Sequence, residues 1–260
     1  MKITCKLLFI TLAFVAVLLQ ISCTKKTVET NKNSDTKFDG TFIFEANLSN
    51  NDTSDENIVS MGGAFYDKNG KVQTGGGTVN INNHELFPNN VNGNYGFDSI
   101  NTTISKNGLY GTTVNFTLQT PHNNKVTASI YSPEAIYIKN VPAMTGSITL
   151  TYNSSLPITW NEDVKNANGV SISAEYLPNR YVNDTAFAAG YTAPIDASMT
   201  VNDNGSVSIP WSFFSGFPPN GHISLWISRG NYTTATDGTY NYNVGGYSAA
   251  AIWDVIIPTH

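Results

Sequence analysis

Apolar and polar residues alternate with a period of two through most of this 260-residue chain, and no stretch carries a helical stripe of any length. Successive side chains of a β-strand point to opposite faces, so this period predicts strands with one buried face. Polar turns separate the alternating stretches. The clearest is Asp67-Lys68-Asn69-Gly70, because Asn-Gly accepts the positive φ angles of a tight hairpin. The pattern predicts an all-β protein with antiparallel sheets.

The low content of charged residues agrees with this interpretation. Asp, Glu, Lys and Arg make up 13% of the chain, against about 25% in typical globular proteins. Long surface helices favour Glu, Lys and Arg. Their scarcity therefore favours a β protein with many turns over a helical one.

The first 22 residues have the features of a secretory signal peptide. Lys2 and Lys6 form a basic start, and residues 7–21 are an uncharged apolar run. Fifteen residues are too few to span a bilayer, which takes about 20 in a helix, but they suit a signal peptide. Cys23 would then be the first mature residue. The only other cysteine, Cys5, lies within the signal, so Cys23 has no disulfide partner and is predicted to carry lipid.

The residues around the cleavage point resemble the lipobox of bacterial lipoproteins. Ile21 and Ser22 precede Cys23, although Gln20 stands where that pattern usually has leucine. The resemblance implies a diacylglyceryl thioether on Cys23 and an acylated amine, hence palmitate labelling and a lipid anchor in the outer membrane. Many surface-displayed lipoproteins have an acidic run just after the cysteine, and here Lys25-Lys26 stands there instead. This difference favours a periplasm-facing position. The sequence leaves surface display open.

The mature chain divides into a polar linker and two predicted domains. Residues 23–38 have almost no large apolar side chain and are predicted to be a flexible tether. The roughly 220 residues that follow suit two domains of ordinary size. Proline and glycine in the middle place the boundary near 141, which gives 39–140 and 141–260. The fold expected is two consecutive antiparallel β-sandwich (Ig-like) domains, with residues 178–200 as a long loop or an excursion at a sheet edge.

Five strand-and-turn stretches carry a resemblance to a known family: 77–82, 158–161, 204–210, 227–231 and 252–257. With these stretches the chain resembles uncharacterised two-domain lipoproteins of the Bacteroidota, which pair an N-terminal β domain with a C-terminal Ig-like one. That resemblance supplies no activity.

No motif in the sequence indicates a catalytic, cofactor-binding or metal-binding residue, so the protein is predicted not to be an enzyme. Gly246-Tyr247-Ser248 distantly resembles a nucleophile elbow, but no helix is predicted to follow it. Glu162-Asp163 is assigned to a solvated turn, and Asn202-Asp203-Asn204-Gly205 to a hairpin turn rather than a Ca²⁺ loop. The four histidines are scattered, at His84, His122, His222 and His260.

Trp226 is the one candidate for a surface contact. Ile223, Leu225 and Ile227 are expected in the core, which turns Trp226 outward. An outward tryptophan can stack on a sugar ring or on another protein. The alternative is that Trp226 packs between the two domains or beneath the 178–200 loop.

Charge excludes one class of partner. Loss of residues 1–22 removes Lys2 and Lys6 and no acid, so 12 basic and 19 acidic residues leave a net charge of −7. No basic surface remains for nucleic acid. We expect a membrane-anchored envelope lipoprotein with a non-catalytic binding or structural accessory role, and with a protein or glycan ligand. The alternatives are a pilin-like or adhesive subunit, and a hydrolase acting on glycans through a site built from loops.

Overall fold

The structure is a computed structural model, and it describes seven stretches of the chain. They are residues 38–49, 59–74, 76–82, 84–96, 108–140, 147–178 and 185–259. The signal peptide, Cys23 and nearly all of the predicted linker lie outside the described residues, so the lipid-anchor interpretation stays a prediction.

Fourteen strands and two one-turn helices occupy the described residues, which confirms the all-β prediction. The strands are β1 (Gly40–Ser49), β2 (Val59–Phe65), β3 (Thr78–Ile81), β4 (His84–Pro88), β5 (Tyr95–Gly96), β6 (Thr112–Gln119), β7 (Lys125–Ser132), β8 (Ile148–Thr149), β9 (Leu156–Thr159), β10 (Val170–Tyr176), β11 (Ile195–Val201), β12 (Ser206–Ile209), β13 (His222–Thr236) and β14 (Asn241–Ile256). The helices are α1 (Thr185–Ala188) and α2 (Trp211–Phe214).

Twelve of these strands form one sheet, in the order β11-β10-β13-β14-β1-β2-β5-β4-β3-β6-β7, with β8 added beside β14. Strands β12 and β9 form a separate pair. Most neighbours are antiparallel, but β14 pairs in parallel with β1 and with β8. The prediction of purely antiparallel sheets is wrong at these two pairings. A parallel pair needs a long connection, and here most of the chain lies between β1 and β14.

The long hairpin of β13 and β14 contributes to both hydrophobic cores. Tyr242 and Val244, early in β14, pack in a first core with the side chains of β1, β2, β3 and β6. Ile252 and Val255, later in the same strand, pack in a second core with those of β10 and β13. Thr36–His260 forms one compact unit. The boundary near 141 stays a prediction, but the hairpin on its C-terminal side supplies residues to both cores.

The sheet wraps around the first core until its last strand approaches β13. Strand β7 packs against β13 without a backbone ladder. The Asn231 side-chain amide in β13 instead donates to the Tyr131 carbonyl in β7, with an N–O distance of 2.6 Å. This contact brings the far edge of the sheet next to its middle, so the first core is enclosed on most sides.

Glycines in the strands give aromatic rings the room to lie flat on the sheet. Gly246 in β14 pairs with Phe44 in β1, and a methyl group added to Gly246 would come within 2.1 Å of the Phe44 ring. Gly63 in β2 has the same relation to Phe42, at 2.4 Å. The apolar rings therefore fill the volume that the glycines leave empty.

Two of the predicted connections differ from the structure. Residues 178–200 are not simply a loop, because they contain α1 and most of β11, which pairs with the whole of β10. The 202–205 turn is not a hairpin turn, because it joins β11 to β12 and these strands belong to different sheets. Strand β11 is only half-buried at alternate positions, which leaves a weak apolar signal in the sequence.

None of the helices among the described residues has the length and apolar character needed to cross a membrane.

Candidate functional site

Trp226 lies on the outer face of β13, as the alternation predicted. Ile223, Leu225 and Ile227 are fully buried in the second core, while Trp226 is partly exposed. A register shift against β14 falls between Ile223 and Leu225. It ends before Trp226, so the alternation of faces continues unchanged along the rest of the strand. The alternation in the sequence and the register of the sheet therefore place Trp226 on the same, outer face.

The neighbours of Trp226 on this face are small hydroxyl side chains. Trp226 pairs with Ser173 in β10, and Ser173 pairs with Ser198 in β11. Cross-strand partners share a face and lie about 5 Å apart. Trp226, Ser173 and Ser198 therefore form a row across three strands, with one large aromatic side chain beside two small ones.

Two carboxylates lie in the next row. Glu175 in β10 pairs with Asp196 in β11. Because each is two positions from a serine of the first row, both side chains are on the Trp226 face. Trp226, Glu175, Asp196 and the two serines line one open groove of roughly 360 Å³. This volume is within the range of small-molecule sites, about 300–1,000 Å³.

The alternation in the sequence predicts the tryptophan of this groove but not its acids. Glu175 is a single acid in an alternating strand, which gives no signal of its own. Asp196 lies within residues 178–200, where the alternation is weak. Only the pairing of β10 with β11 brings the two carboxylates beside Trp226. Of residues 178–200, strand β11 lies beyond β10 and flanks the groove, while residues 179–184 lie outside the described residues, so the alternative that this segment covers Trp226 stays a prediction.

The arrangement is suited to binding. An aromatic ring offers an apolar face, and hydroxyl and carboxylate oxygens beside it accept hydrogen bonds. Glycoside hydrolysis needs two carboxyl groups that flank the scissile bond. Glu175 and Asp196 project from the same face of the sheet as cross-strand neighbours, so the pair suits binding and also supplies the two neighbouring carboxyl groups that a hydrolase uses.

A second polar cluster is buried where the two cores meet, and it has no open face. Arg229 forms an ion pair with Asp203, with an N–O distance of 2.8 Å, and both side chains are almost fully buried. The Trp160 indole donates to Asp203 at 2.9 Å, and Asn166 donates to it at 2.9 Å. The charges are compensated internally, so this cluster stabilises the fold and offers no ligand site.

Asp163 is also a structural residue, and its assignment to a solvated turn is wrong. It is 5% exposed and accepts hydrogen bonds from the backbone amides of Glu134 and Lys165 and from the Tyr131 hydroxyl. Burial alone would raise the pKa of the Asp163 carboxyl. These hydrogen bonds and the charge of Arg229 outweigh burial and hold that pKa below its usual range.

The remaining motifs have structural explanations. Ser248 is in the middle of β14, is buried, and accepts a hydrogen bond from the Ile136 amide at 2.9 Å, so it is not at a strand-to-helix turn. His122 stacks on Tyr240, and the His222 ring contacts Asp254. Among the residues that the structure describes, no three His, Cys, Asp or Glu side chains come together as a metal site would need.

No protein-family model, curated protein or solved structure matches this chain.

Proposed function

We propose that this protein is a lipid-anchored lipoprotein of the outer membrane that binds a glycan, without catalysis, in the groove beside Trp226. The observation that supports binding most directly is the groove in which Trp226 lies in one row with Ser173 and Ser198, next to Glu175 and Asp196. The apolar face of a sugar ring can lie on the indole. Its hydroxyl groups can then donate to the carboxylates.

The lining of the groove favours a glycan over a protein. The cores of protein interfaces are enriched in aromatic residues and depleted in Ser, Asp and Glu. Here, apart from Trp226 and two alanines, the groove is lined by Ser173, Ser198, Glu175 and Asp196. This composition suits a ligand that is itself rich in hydroxyl groups. The mature net charge of −7 and the two acids disfavour an anionic glycan.

A hydrolase that acts on glycans is the second candidate, because two carboxylates lie beside an aromatic ring. It would require Glu175 and Asp196 to act as acid and base on one bond. Incubation of the protein with the glycans that it binds distinguishes the candidates. Release of reducing ends, lost in Glu175→Gln, would establish hydrolysis and overturn the non-catalytic proposal.

The test of the proposed function is binding to an array of neutral, acidic and amino-sugar polysaccharides by wild type and Trp226→Ala. We expect binding to a neutral polysaccharide and a loss of about tenfold or more in affinity in the variant, since a central aromatic contact contributes about 2 kcal/mol. Tyr152→Ala is the matched control, because Tyr152 is 52% exposed but lies away from the groove, against Trp211. Equal binding by wild type and Trp226→Ala would exclude the groove.

The anchor is tested separately, on cells. We expect palmitate label on the wild type and none on Cys23→Ala. An unlabelled wild type would overturn the lipid anchor and the location with it. Protease added to intact cells then shows which way a labelled protein faces, because only a surface-displayed protein is cleaved.

For the architecture, we propose two Ig-like β-sandwich parts, 39–140 and 141–260, which the two separate hydrophobic cores support. The shared hairpin makes each part dependent on the other. We therefore expect the isolated 141–260 fragment to unfold at lower denaturant concentration than the intact chain. Unfolding of the fragment at the same concentration would show an independent domain.

A further inference from the structure

Beyond Trp226, the outer face of β13 continues with a second aromatic group. Residues 226, 228, 230 and 232 alternate with buried side chains, among them Ile227 and Arg229, so Tyr232 is on the same face as Trp226. Tyr232 is 50% exposed. Six residues at about 3.3 Å each place the two rings about 20 Å apart along the strand.

Tyr247 in β14 lies between these two rings. It pairs with Gly230, and a methyl group added to Gly230 would come within 2.4 Å of the Tyr247 Cβ. Tyr232 pairs with Gly245 in β14, and a methyl group added to Gly245 would come within 2.3 Å of the Tyr232 ring. The Tyr232 ring therefore lies across a glycine of the neighbouring strand, whereas Gly230 gives room beside the Tyr247 Cβ. We call Trp226, Tyr247 and Tyr232 the aromatic track.

The side chains between the rings of the aromatic track are small. On β13 the positions that separate Trp226 from Tyr232 are Ser228 and Gly230, both partly exposed. Ala249, the partner of Ser228 in β14, is only 5% exposed, so the open path runs along β13. Its small side chains leave no ridge that would interrupt a chain lying along that strand. The sheet twists, so such a chain would follow a twisted path.

Hydrogen bonds fix the middle of the aromatic track. The Tyr247 hydroxyl is bonded to Glu45 in β1, and the Ser60 hydroxyl also donates to Glu45, at 3.2 Å. From the opposite face of the sheet, the Tyr110 hydroxyl donates to the Tyr247 carbonyl at 3.1 Å. Burial and the Glu45 charge raise the pKa of Tyr232 to about 12, so its hydroxyl stays a donor at neutral pH. A ring held in place loses little entropy when a ligand binds.

We propose that the aromatic track binds an extended, uncharged polysaccharide chain, with one end of the bound segment on Trp226 and the other on Tyr232. This inference rests on the proposed function, since it takes the Trp226 groove as one end of a longer site. Three aromatic rings over about 20 Å on one sheet face match a ligand with repeated apolar faces. Carboxylates beside the track at Glu45, Glu175 and Asp196 repel anionic sugars.

The test is the dependence of affinity on chain length. Calorimetry of the full chain would use a disaccharide and a hexasaccharide of one linear neutral glucan. We expect the hexasaccharide to bind at least about tenfold more tightly, since each further aromatic contact contributes on that order. Tyr232→Ala should lower the affinity for the hexasaccharide by about tenfold, with the contribution of Tyr247 retained, and should leave the affinity for the disaccharide unchanged. Tyr232→Phe, which keeps the ring, should retain most of the gain.

Thr234→Ala is the matched control, because Thr234 is exposed two positions further along the same face. We expect no change in either affinity. Trp226→Ala separates the two proposals, because it should weaken both ligands. If Trp226→Ala weakens binding and Tyr232→Ala does not, the extended site is wrong and the Trp226 groove stands. If neither variant changes binding, or the wild type binds neither sugar, both proposals are overturned.

Discussion

The buried ion pair between Arg229 and Asp203 gives the sharpest test of how this fold is held together. Arg229 is in β13, and its guanidinium also donates to the carbonyls of Glu134, Asn161 and Ala135, with N–O distances of 2.6, 2.9 and 3.4 Å. Glu134 and Ala135 belong to the segment that leaves β7. One side chain therefore connects that segment to both the ion pair and the sheet.

The cost of Arg229→Met can be worked from these contacts. Removal of one partner from a buried ion pair costs about 3–5 kcal/mol, because the other charge stays buried without compensation. Here Asp203 keeps the donors Trp160 and Asn166, which offsets part of that cost. Three backbone carbonyls lose a donor as well, at about 1 kcal/mol each for buried acceptors. These costs reach about 6–8 kcal/mol before the offset from Trp160 and Asn166. We therefore expect a loss of at least about 4 kcal/mol, a large share of the 5–15 kcal/mol typical of a folded protein.

The assay is equilibrium unfolding in urea at pH 7, followed by tryptophan fluorescence and circular dichroism. Arg229→Lys keeps the charge but not the planar fork of donors, so we expect an intermediate loss of about 2 kcal/mol. Lys125→Met, an exposed substitution in β7, should change stability by less than about 0.5 kcal/mol. An Arg229→Met protein within about 1 kcal/mol of the wild type would refute the assignment of Arg229 as a central structural residue.

Two further predictions concern the first core and the dependence of stability on pH. Gly246→Ala should destabilise the protein by about 1–3 kcal/mol, since the new methyl group collides with the Phe44 ring. Gly216→Ala should leave the stability unchanged, because a methyl group added there meets nothing within 4 Å. Equal unfolding midpoints of the two variants would contradict the packing of the Phe44 ring on Gly246. The pKa of Asp163 is lowered in the folded state. The Asp163 carboxylate therefore stabilises the folded protein at neutral pH, and this stabilisation is lost as the pH falls through that pKa. Asp163→Asn should therefore be less stable than wild type in urea at pH 7, with a smaller difference at pH 3; a constant difference would show that the carboxylate charge is not involved.

Local sequence signals were sufficient for the strands with strong alternation, though not for β11, and for one residue of the candidate site. The period of two predicted β13 and the buried positions of Ile223, Leu225 and Ile227, and with them the outward face of Trp226. Asn69-Gly70 predicted a turn, and Gly70 has a φ of +80°. These features depend on residues that are neighbours in the chain, so composition and alternation were enough to find them.

Only the tertiary structure determined which strands pair and which side chains meet. No short-range rule brings β1 beside β14 in parallel, because their partners Gly40 and Tyr242 are separated by most of the chain. Glu175 and Asp196 are both in the groove because of the register of β10 and β11. A shift of one residue would have turned one of the two side chains to the other face of the sheet. The tertiary structure also decided the position of the Tyr232 ring. Alternation along β13 puts Tyr232 on the same face as Trp226, but the room for its ring comes from Gly245 in β14.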